Sequence, residues 1–251
     1  MEIHVRNYYV ILATVLAIGR CPAQASDWGN LYGYVDWTSD YRFYGASESD
    51  RHSTEQGGLH WAASDDFYAG VFVSGVDFRD FRKTSYEVDF YGGRHFHFDS
   101  NDMNLEALYS VDPDAAGHPS YARSGVILPN YNFFEAAAEL THTFGAFSLG
   151  GKVIVEPRPR SHGGLLWSLN GAAVYLVNDW LKLSANVGRQ REFAKRLDSM
   201  HWDFGVTATW RQQWVFDVRY YGSDISIANC YGTNWCQPAL VAKITYQFAV
   251  L

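Results

Sequence analysis

Between Leu165 and Gln190 the chain reads LLWSLNGAAVYLVNDWLKLSANVGRQ, two runs of alternating character separated by Asn178-Asp179-Trp180. In the second run Leu181, Leu183, Ala185 and Val187 fall on one face and Lys182, Ser184, Asn186 and Gly188 on the other. That period of two is the signature of a strand. Its apolar face suits a protein core and lipid equally well, so the rest of the chain has to choose.

The same alternation, bounded by turn residues, recurs about twelve times. It predicts strands over Leu31–Tyr41, Gly57–Ala63, Phe67–Phe78, Tyr86–Phe98, Asn104–Val111, Asn132–Phe144, Phe147–Glu156, Leu165–Val177, Leu181–Gln190, His201–Trp210, Trp214–Gly222 and Ala239–Phe248. No stretch has the spacing of a long amphipathic helix, and the class is all-β.

Connections alternate between short and long. Short ones are Ser64–Asp66, Asp99–Met103, Gly145-Ala146, Asn178–Trp180 and Arg211–Gln213; long ones include GASESDRHSTEQ, RDFRKTS, Asp112–Tyr131, PRPRSHG and REFAKRLDSM. Turns sorted to one rim and loops to the other describe a transmembrane antiparallel β-barrel with short periplasmic turns and longer extracellular loops. Rings cluster beside the short turns, at Phe67, Tyr68, Phe96, Phe98, Phe144, Phe147, Trp180, Trp210 and Trp214, as in an interfacial aromatic girdle. Ten residues at about 3.3 Å each, tilted roughly 45°, span about 23 Å, close to the apolar height of such barrels. The apolar faces are therefore expected to meet lipid.

Composition agrees: the 251 residues are 47% hydrophobic and 17% aromatic, too apolar for disorder. A net charge of −7 gives no basic footprint for nucleic acid. The first residues, MEIHVRNYYVILATVLAIGRCPAQAS, have the layout of a secretory signal peptide with cleavage after Ala25, which leaves residues 26–251 as a single outer-membrane domain. Export to an oxidising compartment makes CYGTNWC a local disulfide, Cys230 to Cys236.

Alternation assigns a pore lining of nine acids, Asp36, Asp40, Glu87, Asp89, Glu106, Glu135, Glu139, Asp203 and Asp217, and four bases, Lys152, Lys182, Arg219 and Lys243. The acidic excess favours cations weakly, and facing ladders of opposite sign would set a transverse field. The expected partners are small polar solutes or ions within and outer-membrane lipid and lipopolysaccharide without, the latter meeting Arg158 and Arg160. Arg94 breaks the pattern, because the phase that turns Glu87 and Asp89 inward turns it to lipid; it has to lie near the periplasmic rim or beside a bulge.

No cofactor is implied. His95 and His97 share a face, with His60 on a neighbouring region, but spacing fixes no complete metal-ligand set. Outer-membrane phospholipases place a serine two residues after their histidine; here His142 is followed at that distance by Phe144, and no Gly-x-Ser-x-Gly elbow occurs, so no enzyme is expected. The alternative to a pore is a non-conducting barrel that works through its loops. The longest loop, Asp112–Tyr131, can fold inward or present an outer surface.

The stretch SDYRFYGASESDRHSTEQGGLHWAASDDFYAGVFVSGVDF, followed by EVDFYGG, resembles the TorF-type porins of proteobacteria, the Gcw_chp family. The matching residues are Ser39, Tyr41, Phe43, Gly45, Ser47, Gln56, Gly57, Tyr68, Gly70, Ser74, Phe78, Glu87, Asp89, Tyr91 and Gly93; Tyr44 and Gly75 depart from the pattern, which has Arg and Asn there. The resemblance implies an exported outer-membrane barrel and carries no ligand or reaction.

Overall fold

The computed structural model describes residues 29–63, 66–79, 84–113, 132–157, 165–192, 197–230 and 232–250. The expected signal peptide, Arg158, Arg160 and nearly all of the Asp112–Tyr131 loop lie outside them.

Twelve strands form one closed antiparallel barrel: β1 (Asn30–Thr38), β4 (Thr54–Ala62), β5 (Phe67–Gly75), β6 (Tyr86–Phe98), β7 (Asn101–Val111), β8 (Phe133–Phe144), β9 (Phe147–Glu156), β10 (Leu166–Asn178), β11 (Leu181–Glu192), β12 (Leu197–Trp210), β13 (Trp214–Ser223) and β14 (Ala239–Ala249). Each pairs with its sequence neighbour, and β1 closes the ring against β14, with Tyr32 opposite Ala249 and Thr38 opposite Lys243. Two further short strands, β2 (Arg42–Phe43) and β3 (Ala46–Ser47), pair in a separate hairpin inside the β1–β4 connection.

All twelve alternating runs are strands, with shifted ends. β1 stops at Thr38 rather than Tyr41 and β5 at Gly75 rather than Phe78, while β7 and β12 begin earlier, at Asn101 and Leu197. The sorted turns recur: Asp99-Ser100 and Gly145-Ala146 are two-residue hairpin turns, with φ of 54° at Asp99 and 63° at Gly145. At Asn178 the side-chain oxygen accepts from the backbone N–H of Trp180 and Leu181, after a register shift between Leu176 and Asn178. An asparagine that closes its own turn in this way ends one strand and starts the next.

Burial is inverted relative to a soluble protein. Phe204 leaves 57% of its surface exposed and Leu240 70%, whereas Glu87 leaves 2%. Large apolar side chains cover the outside of the ring, and a continuous apolar surface of this kind needs an apolar solvent. The outward aromatics at the short-turn rim include Phe67, Phe98, Phe144, Trp180, Trp210 and Trp214. Tyr68, expected among them, points inward and is buried, because it shares the phase of Phe72 and Ser74.

Arg94 faces outward opposite Phe67, the first residue after a short turn. Its guanidinium stacks 4.6 Å from the Phe67 ring and 5.1 Å from the Phe96 ring, and β6 pairs with both neighbours without a register shift. Rim placement, rather than a bulge, accommodates the charge, with cation–π contact supplementing water.

Candidate functional site

Twelve of the thirteen predicted lining residues sit on inward-facing strand positions: Asp36 on β1, Glu87 and Asp89 on β6, Glu106 on β7, Glu135 and Glu139 on β8, Lys152 on β9, Lys182 on β11, Asp203 on β12, Asp217 and Arg219 on β13, and Lys243 on β14. Asp40 does not. It lies beyond the end of β1, buried, where its carboxylate accepts from Arg42 Nε at 2.7 Å and from Ser47 Oγ at 2.6 Å.

The charges do not form two facing ladders. Lys243 Nζ lies 3.3 Å from Asp36 and 3.0 Å from Gln56 Oε1, on the strands that flank the β1–β14 closure. Lys152 Nζ lies 3.6 Å from Glu106, across β8. Arg219 donates to Asp203, to Asp217 at 3.2 Å and to Ser184 at 2.7 Å. Lys182 is opposite Thr207, whose hydroxyl donates to Asp217 at 2.6 Å. Opposite charges on neighbouring strands meet within hydrogen-bond reach, which charges across an open lumen cannot do. Each base of the wall is met locally by an acid, the acidic excess remains, and the field is that of a patchwork.

One half of the interior is filled by rings. His60 Nδ1 is 3.3 Å from the Tyr91 hydroxyl, Tyr68 donates to Asn104 and Glu106, and the Tyr68 and His95 rings lie 5.0 Å apart. A Cβ at Gly70 would come 2.3 Å from the Tyr91 ring and one at Gly93 2.6 Å from the Tyr68 hydroxyl, so glycine leaves room for each ring. His97 pairs with Asp102 and stacks on His95. Among the described residues no group of three His, Cys, Asp or Glu side chains is placed to hold a metal. His142 points outward and meets Asn101 at 3.0 Å, and Phe144 stacks beside it at 5.6 Å, where a nucleophile would have to stand.

The other half holds the main cavity, of about 130 Å³, bordered by β8 to β13 and by Arg42, Phe43, Tyr44 and Gly45. Those four residues belong to the β1–β4 connection, which folds into the barrel. Tyr41 donates to Glu87 at 3.0 Å and Tyr44 to Glu135 at 2.8 Å, the Phe43 ring packs 6.1 Å from Phe133, and Tyr44 lies 5.4 Å from His201 on the far wall. At its tip both Tyr44 (φ 48°) and Gly45 (φ 82°) are left-handed, as a two-residue hairpin turn of this twist requires. Gly45 has no room for a side chain, since a Cβ would approach His201 to 2.9 Å. A bulky residue with positive φ costs about 1–3 kcal/mol and persists only where its surroundings hold it. Here Glu135 and His201 hold it. Burial, reinforced by the adjacent Glu135 carboxylate, pushes the Tyr44 hydroxyl well above its ordinary range, so it remains a donor at every physiological pH.

At the long-loop rim the hairpin is fastened to the β13–β14 connection, which the Cys230–Cys236 disulfide closes. Arg42 Nη1 donates to the carbonyls of Trp235 (2.7 Å) and Gln237 (3.1 Å), and Ser47 N donates to Trp235 O. Arg51 reaches the carbonyls of Asn234, Gln237 and Pro238, and Trp235 Nε1 donates to Asp50 at 2.7 Å. Cys230, Trp235 and Cys236 are buried together against Ala46, Phe78 and Ile225. Burial acts to raise the Asp50 carboxyl, but hydrogen bonds from Trp235 and Arg79 more than offset it and hold the group below its ordinary value.

Arg42, Tyr41, Tyr44, Asp50, Arg51 and Trp235 were not among the expected site residues. Their signal in the sequence is a surplus of rings around one arginine, DYRFYG, where a solvated loop would be polar.

A family model described as a bacterial protein of unknown function, Gcw_chp, matches residues 23–248. The chain belongs to the Gcw_chp family. No curated protein matches it significantly in sequence. Among solved structures, this Gcw_chp chain is similar to the NanC porin (TM-score 0.57, 8% identity, covering 88% of this chain and 100% of that one). It is similar also to the KdgM porin in complex with disordered oligogalacturonate (0.54, 7%, 88% and 99%). A third is the COG4313 outer membrane channel from Pseudomonas putida F1 (0.55, 9%, 90% and 97%). At these identities the likeness is one of fold: the closed antiparallel barrel of outer-membrane porins and channels.

Proposed function

We propose that this Gcw_chp chain is an outer-membrane porin of the TorF type, exported by a signal peptide cleaved after Ala25, that gives small polar solutes or ions passive passage through a narrow lumen. The observation that carries this reading is the inverted wall: apolar side chains outside a closed ring, and carboxylates, lysines and an arginine buried inside it. A soluble barrel closed around a core would carry the opposite arrangement, apolar inside and polar outside. The fold shared with porins supports the same reading, and the rings at the short-turn rim fit a periplasmic interface. Lipid meets the outer face and lipopolysaccharide the long-loop rim.

The lining comprises Asp36, Glu87, Asp89, Glu106, Glu135, Glu139, Lys152, Lys182, Asp203, Asp217, Arg219 and Lys243, with Asp40 contributing from the hairpin segment. Because acids outnumber bases, passage is biased weakly to cations. Its chemistry is transport rather than a reaction: Phe144 stands where the serine of an outer-membrane phospholipase would follow His142. The hairpin favours a second reading, a barrel that is plugged at rest and works through its outer loops.

Planar-bilayer conductance of refolded Ser26–Leu251, with the reversal potential read under a salt gradient, separates the two. Discrete steps with a cation-biased reversal are expected. A barrel that shifts mobility on heating, and is therefore folded, yet stays silent with or without the hairpin would overturn the porin.

A further inference from the structure

The hairpin does more than narrow the barrel, because it divides the interior. Beside the main cavity lies a second one of about 50 Å³. It reaches Val215 and Thr245, a paired position next to the short-turn rim. Three residues border both cavities: Arg42, Arg219 and Tyr221. Arg42 is carried in by the hairpin and held in place by Asp40 and by carbonyls of the disulfide-closed loop. Arg219 stands on β13 between Asp203 on β12 and Asp217 on its own strand.

Resting on the porin reading, we propose that Arg42 and Arg219, with Tyr221, form the specificity-determining filter of the channel, the place where every solute passing from the larger cavity to the periplasmic rim is sorted by charge. Its balance is nearly even, with two guanidiniums set against Asp40, Asp203 and Asp217. Such a filter offers no uncompensated cation to a carboxylate or phosphate and only a slight surplus of negative charge to an ammonium. The solute class it fits is small, polar and uncharged or singly cationic; acidic solutes are turned away. Selectivity set at a constriction outweighs charge spread along the wall, because field lines concentrate where the water-filled path is narrowest. The strained Tyr44 turn fits this role: a costly backbone conformation is retained where it holds Arg42 in the path.

The test compares single charges removed at and away from the filter in planar bilayers under a salt gradient. Arg219→Gln leaves Asp203 and Asp217 without their cation, so the cation-to-anion permeability ratio should rise about fivefold or more. Arg211→Gln removes the same charge at a short turn on the periplasmic rim, outside the lining, and should change the ratio by less than about 1.5-fold. Heat-shifted mobility on gels reports whether each variant folds. Should Arg219→Gln fail to fold, Asp203→Asn, which removes an acid at the filter, should lower the ratio, while Glu192→Gln near the long-loop end of β11 leaves it unchanged. Equal shifts for filter and non-filter variants would overturn the filter and leave the porin standing. Silence of the unsubstituted chain, and of a variant lacking the hairpin, would overturn both.

Discussion

The two halves of the barrel interior solve the same geometric problem in opposite ways. From β4 to β6 the inward positions carry His60, Tyr68, Tyr91 and His95, rings that pack against one another and fill their side of the ring, and Phe72, which packs against Tyr41 of the β1–β4 connection. From β9 to β11 the positions beside the main cavity are small or short, with Gly150, Ala172, Asn170 and Asn186 among its lining. A twelve-stranded ring is too wide to be closed by ordinary side chains all round and too narrow to need a plug domain. Crowding one half confines the path to the other, where a two-strand hairpin suffices to control it. In the proposed porin this difference would place the pathway off the barrel axis.

The sharpest way to enlarge this contrast is to take the hairpin away. Replacing residues 40–50 by a short Gly-Ser linker removes none of the twelve ladders, so the barrel should still fold, while single-channel conductance rises about fivefold as the bordering ring of Arg42 to Gly45 is lost. Unchanged conductance would mean that the limit to flow lies elsewhere.

A smaller effect distinguishes the halves directly. Ala172→Trp fills the open half and is expected to cut conductance by about half. His60→Ala, in the crowded half, removes a whole ring yet should leave conductance within about a fifth of its original value, because that half does not carry the proposed path. Matching responses at the two positions would erase the distinction.

The mildest prediction concerns pH at the hairpin's anchorage. Asp50 has a lowered folded-state value, so its contribution is fully present above the ordinary carboxylate range and is lost as pH falls through the lowered value. As pH falls below the ordinary carboxylate value of about 4, the anchorage should loosen and open-channel noise should grow, and Asp50→Asn should abolish that pH dependence. An acid response that survives in Asp50→Asn would assign it to another group.

How much of this was readable beforehand follows from what periodicity can and cannot encode. A strand that separates lipid from a polar lumen writes its two faces into alternate residues, so Leu181 to Gly188 announces its orientation without any partner. Ends were less legible: alternation continues through Asp40 and Tyr41, yet β1 stops at Thr38 because Ser39 already bonds across to Ala242 and the chain then turns inward. The hairpin is legible only as the ring-rich stretch DYRFYG, and not as a fold. Strands two residues long have no period, and neither the positive φ of Tyr44 nor the carbonyls that Arg42 seeks leave a mark on residue types. Length singles out Asp112–Tyr131, nearly all of which lies outside the described residues; among the described residues the segment that folds in is the one with anchors to meet. The wall charges show the same limit, since alternation tells which side Lys152 and Lys243 face but not that Glu106 and Asp36 wait within reach.

The position of the hairpin's anchorage bears on how the molecule is made. The hairpin follows directly on β1 and its carbonyl cradle directly precedes β14, and these are the two strands that meet last in sequence and close the ring. Until they pair, Arg42 and the carbonyls of Trp235 and Gln237 belong to opposite ends of an open sheet. Closing over so large a separation is the entropically slow step of assembly. Zipping the seam and setting the constriction are therefore a single event: an unfinished barrel exposes raw edges but has no gate, and a finished one acquires its gate at the moment it becomes watertight.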